Sequence, residues 1–175
     1  MKSSPVIVAH LLLPLWLLAI TASAPAQTAP PAQTAPPAEQ APTVSQAEAV
    51  AAWNRFKAAP GSNLKDAPTF LRYMQGGAVH TVLNSNLVFW MYQDYPREAQ
   101  AVLYASYMGG NMESQLVTRK AGDDPEAGMS AVLDAYATLK AGDQALTIKR
   151  LDDLITARDE GRFAAAVSDL GQGKP

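Results

Sequence analysis

Four side chains outside the N-terminal segment have the chemistry of a site: His80, Asn84, Asn86 and Glu113. An imidazole titrates near neutrality and can accept or donate a proton. Two carboxamides close to it in sequence would complete a polar pocket. All three lie in residues 78–95, AVHTVLNSNLVFWMYQDY. At the helical period Val79, Val82, Leu83, Leu87 and Trp90 share a face, with Asn86 among them. An asparagine on an apolar face either orients a ligand or bonds backbone and fixes packing, and the second use is the commoner. A lone histidine beside apolar residues, with no nucleophile motif near it, is more often a packing residue than a base. Glu113 is a different case. A carboxyl serves as a general acid only when an apolar cleft keeps it protonated.

The rest of the composition removes whole classes of chemistry. Cysteine is absent, so thiolate metal sites, disulfides and a cysteine nucleophile are excluded. The other histidine is His10, in the N-terminal apolar segment, which leaves no histidine set for zinc. Asp123, Asp124 and Glu126 stand together but lack the alternating oxygen ligands of a calcium loop, and suit a helix start. No metal and no cofactor is expected. A formal net charge of -2 offers no basic field, so nucleic acid is not an expected partner. Trp90, Met91, Tyr92 and Tyr95 form the alternative to a pocket: exposed, they would make a partner face, because aromatics and methionine favour interface cores. Buried, they would simply be core.

The elements that must position these residues begin after residue 42. Lys2 and the apolar run at 6–20 read as a signal peptide, with small residues placing cleavage after Ala26. An uncleaved segment would instead be an N-terminal anchor; after cleavage no membrane insertion is expected. Residues 27–42 carry the unit QTAPPA twice in succession and read as a disordered Pro/Ala-rich linker. Residues 43–175 are then one all-α domain, a bundle of about six to seven helices. Ser45 and Glu48 make a capping box for the first helix, and Pro68 suits the first turn of a second. Residues 78–95 read as a central helix covered on two sides. Residues 96–120 read as one helix whose small residues, Ala101, Ala105 and Gly109 beside Ser106, Gly110 and Ser114, form flat stripes for close packing. A break at Gly109-Gly110 is the competing reading, since two glycines cost about 2 kcal/mol of propensity. Asp124-Pro125-Glu126 starts the next helix, and two more follow, separated by Gly161.

Two short stretches are similar to known families. Residues 157–166, ARDEGRFAAA, resemble the turn of a tetratricopeptide repeat, without the 34-residue period of that family. Such a turn implies a helical hairpin of generic kind. Glu113-Ser114 and Ala127-Gly128-Met129 resemble the Glu-Ser and Gly-Leu-Met-Gln motifs of soluble lytic transglycosylases, with Ser130 in place of the glutamine and no leucine. That resemblance implies Glu113 as the general acid of an exported enzyme.

The expected function is an exported, periplasmic or secreted, non-catalytic helical domain binding another protein of the envelope or secreted space, as an inhibitor or adaptor. The alternative is an exported small-molecule binder or hydrolase using His80, Asn84 and Asn86, or Glu113.

Overall fold

A computed structural model of the chain describes residues 43–174; residues 1–42, on which the expected signal peptide and linker fall, lie outside the described residues. Six α-helices and no strand occur among them: α1 Gln46–Ala58, α2 Ala67–Tyr73, α3 Arg97–Thr118, α4 Pro125–Gly142, α5 Lys149–Asp159 and α6 Phe163–Gly171. No helix among the described residues is long and apolar enough to cross a membrane.

The local signals act where they stand. The Ser45 hydroxyl accepts from the Glu48 amide at 3.3 Å, and the Glu48 carboxylate accepts from the Ser45 amide at 2.9 Å, which closes the box at the start of α1. The Ser45 hydroxyl first, and its amide second, hold the Glu48 carboxyl below its usual range. Asp124 caps α4 by accepting from Ala127 N–H at 3.0 Å, with Pro125 in the first turn. Asp66 does not cap α2; its carboxylate takes Arg55 at 2.8 Å instead.

α3 runs unbroken through Gly109-Gly110, and packing supplies the reason. A Cβ at Gly109 would overlap the indole of Trp53 on α1. One at Gly110 would lie 2.7 Å from the carbonyl oxygen of Ala127 on α4. Both glycines therefore mark close approach, and the contacts they permit offset their poor propensity. Trp53 further stacks on Phe56 and meets Phe70 edge to face, with ring centroids 5.6 and 5.5 Å apart.

Two buried clusters flank α3. Val102, Ala105 and Met112 face α1 and α2, joining Trp53, Phe56 and Phe70. Leu103 and Tyr107 face α4, α5 and α6, joining Met129, Leu133, Tyr136, Leu151 and Val167. The two-sided helix at the middle of the fold is thus α3.

Residues 78–95 are not that helix. Val79 is extended, residues 85–88 turn, and Phe89–Tyr92 is a single 3-10 turn. The β-branched Val79, Thr81 and Val82 are poor helix formers. Asn84 then offers its own side chain to the backbone: its carboxamide oxygen accepts from Asn86 N–H at 2.9 Å, an Asx turn. The result is a strap along α3. His80 lies against Gln115 near one end of that helix, and Trp90 against Gln100 near the other. Leu87, Val88, Phe89 and Trp90 still reach the core, as four consecutive residues of an irregular segment.

α4 and α5 are joined through a second polar device. Tyr136 on α4 accepts from Ile148 N–H at 2.9 Å and donates to Asp152 at 3.2 Å, while Lys140 reaches the same carboxylate oxygen at 2.7 Å. Burial foremost pushes the Tyr136 phenol above its usual range. The Asp152 bond is the main cause that raises Lys140.

Candidate functional site

The strap decides where the sequence-designated residues go. His80 is exposed, and its backbone rather than its ring is engaged: Gln115 Nε2 donates to its carbonyl at 2.6 Å, and its N–H donates to Gln115 Oε1 at 3.0 Å. One carboxamide thereby satisfies both polar groups of one residue, as a neighbouring strand would. Asn84 and Asn86 both donate to the carbonyl of Gly171, at 2.9 and 3.2 Å. Half-buried, they tie the end of α6 to the strap by bonding its backbone. Asn84 and Asn86 share one acceptor while His80 lies apart from them at Gln115, and none of the three lines the clefts between α1, α3 and α4 or between α5 and α6.

Glu113 does face a cleft. A space of about 490 Å³ lies between α1, α3 and α4, with Lys57 and Glu113 on its wall and Gly110 and Ala131 on its floor. The seating of Trp53 against Gly109 aims the indole N–H at Glu113, to which it donates at 2.8 Å. Lys57 reaches the other carboxylate oxygen at 2.5 Å. Both oxygens are thus acceptors for protein donors, one of them cationic. A proton donor to a bound substrate would have to release the contact on the oxygen that carries the proton.

The buried polar residues that sequence reasoning did not single out as a group are Ser106, Asn111 and Gln115, all on α3. Gln115 Nε2 also donates to Asn111 Oδ1 at 2.6 Å, and Asn111 Nδ2 donates to Asp123 Oδ1 at 2.6 Å. Asp123 Oδ1 further accepts from Val82 N–H at 3.1 Å, and Ser114 donates to Asp124 at 2.5 Å. This network links the strap, the end of α3 and the start of α4. Its signal was available: Asn111 and Gln115 stand four apart, and once α3 is continuous they share a face. Among the described residues no group of acidic or histidine ligands could hold a metal ion.

Tyr107 ends beside this network. Its hydroxyl is buried without a partner among the described residues, and burial first, then Asp123 and Asp124, push its ionisation far above the usual range.

The aromatic face divides. Trp90 is fully buried, its indole N–H also unpartnered, and Tyr95 packs half-buried against the core. Met91 is 40% exposed and Tyr92 73%. Gln100 braces the turn that carries them, donating to the carbonyls of Trp90 at 3.0 Å and Gln93 at 2.8 Å.

Fold and site together define a helical domain whose polar side chains chiefly tie one element to another. No family model, no curated protein and no solved structure matches the chain.

Proposed function

We propose that the chain is an exported, non-catalytic helical domain that binds another protein of the envelope or secreted space, with Met91 and Tyr92 at the centre of the contact. The observation that carries this reading is the exposure of those two side chains on a braced turn, 40% and 73%. Trp90, buried beneath them, fixes the turn, so little conformational entropy is lost when a partner covers its outer side. Tyrosine and methionine are residue types enriched in interface cores. The candidate catalytic groups support the non-catalytic part: Glu113 is held by Lys57 and Trp53, and Asn84 and Asn86 by Gly171. Export rests on Lys2, the apolar run and the small residues before Gln27.

The test is site-specific photo-crosslinking in the producing cell. A photoreactive phenylalanine analogue replaces Tyr92 in the full chain, and in a second version Ala164, an exposed position on α6. The account expects one defined adduct from position 92 in the exported fraction, absent from position 164 and lost with Met91→Asp. Equal adducts at both positions, or adducts only in the cytosol, would contradict it. Mass analysis of the exported chain should show Gln27 as its first residue.

A further inference from the structure

The hairpin of α5 and α6 carries a feature that the Tyr92 surface does not use. Its helices are joined by a three-residue turn with Gly161 at φ 70, and a cleft of about 520 Å³ opens between them. The volume is that of ordinary small-molecule sites. Its floor is apolar: Leu154 and Ala157 come from one helix, Ala166 and Leu170 from the other.

The rim is charged, and the charges pair off with one exception. Asp153 is held by Lys149 and Asp169 by Lys174, each at 2.8 Å, and Arg162 by Glu160. Arg150 has no carboxylate within ion-pair distance among the described residues. Its guanidinium lies instead 5.2 Å from the ring centroid of Phe89. An arginine held by an aromatic ring is oriented without losing its N–H donors, which remain for an anion. The turn puts Arg162 at the closed end of the hairpin, and Arg150 and Lys174 near the open end. Charge and apolar surface are therefore arranged along one axis.

We propose that this cleft binds an amphiphilic anion, its carboxylate or phosphate head at Arg150 and its alkyl tail along Leu154, Ala157, Ala166 and Leu170. The head matches the one unpaired cation of the rim, and the tail covers floor that water solvates poorly. Lys174 stands at the same end as a second, exchangeable cation, already satisfied by Asp169. The proposal is independent of the partner reading, because neither Met91 nor Tyr92 lines the cleft.

The experiment is calorimetric titration of the full chain with decanoate below its micelle concentration, with decan-1-ol, and with decyltrimethylammonium. Decanoate should bind at one per chain, the alcohol at least tenfold more weakly, and the cation not at all. Arg150→Gln should lower decanoate affinity at least tenfold and leave the alcohol unchanged, with helicity by circular dichroism intact. Lys65→Gln, on a remote exposed lysine, should change nothing. Co-sedimentation with phosphatidylglycerol and phosphatidylcholine vesicles separates the sources. Arg150-dependent binding to the anionic vesicles assigns the head to a membrane lipid, and binding of decanoate alone assigns it to a free amphiphile. Equal affinity for acid and alcohol, insensitivity to Arg150→Gln, or no binding to any of these probes would overturn the proposal.

Discussion

Residues 79–95 and α3 follow one another in the chain and take opposite courses. The first has no internal glycine or proline, is rich in apolar residues, and is not an α-helix. The second carries Gly109-Gly110 at its middle and is an unbroken helix of 22 residues. Intrinsic propensity ranks the pair the wrong way round. In α3 each glycine admits a neighbour that any Cβ would displace, so tertiary contact outweighs about 2 kcal/mol of unfavourable propensity. In the strap, an Asx turn at Asn84 and the side chains of Gln115, Asp123 and Gln100 serve the backbone groups that helix bonds would otherwise serve. The lesson is that the two segments hold each other: α3 is continuous where neighbours need it thin, and its polar side chains hold the strap.

Gln115→Leu attacks that dependence most directly. It leaves the His80 amide and carbonyl without their partner and removes one of the two donors to the Asn111 carboxamide oxygen, and we expect a loss of about 3 kcal/mol by urea denaturation. The His80 amide should exchange with solvent far faster in native-state hydrogen exchange. A variant as stable as the parent would show that the strap does not lean on α3.

Gly110→Ala separates packing from propensity. Overpacking against the Ala127 carbonyl costs about 3 kcal/mol and helix propensity recovers about 1, a net loss of about 2 kcal/mol. A gain in stability would return the glycine to a mere weak point of the helix. Asn84→Ala should cost about 1 kcal/mol, because it removes both the Asx turn and one of two bonds to Gly171. Its effect should appear as faster exchange at the end of α6.

Tyr107→Phe is the smallest change and has the opposite sign. The hydroxyl it removes is buried without a partner, so stability should rise by about 1 kcal/mol at neutral pH. The sign of the pH dependence follows from burial. A phenol raised in the folded state stabilises fully below its unfolded pKa of about 10, and that contribution is lost as pH climbs toward the folded value. Tyr107→Phe should therefore lose less stability than the parent on titration above about pH 10. A parallel loss in both proteins would assign the alkaline instability to other groups.

Much of this arrangement was legible in the chain. The capping box at Ser45, the Asp124-Pro125 start of α4, and the small-residue stripes of α3 are local signals, and local signals act within a turn or two. The strap was not legible, for a definite reason. Leu87, Val88, Phe89 and Trp90 are all buried, and a run of consecutive buried residues satisfies a helical template as easily as an irregular one. What decides between them is Gln115, 35 positions from His80, and nothing at His80 announces it. The site residues failed to converge for the same cause. A helix over 78–95 would have stacked His80 and Asn84 one turn apart on one side; the strap sends His80 to solvent and both asparagines to α6. Glu113 was visible as a carboxylate, but Lys57 and Trp53 come from a helix more than fifty residues earlier.

The strap also makes the proposed partner face what it is, since it buries Trp90 and leaves Tyr92 in solvent. Its conformation is read most directly from backbone carbon chemical shifts of residues 79–92 in the labelled protein. The account predicts an extended-type shift at Val79, no helical run across residues 80–84, and helical-type values confined to the turns at residues 85–92. An unbroken run of helical shifts from Val79 to Trp90 would contradict it, and with it the placement of Met91 and Tyr92.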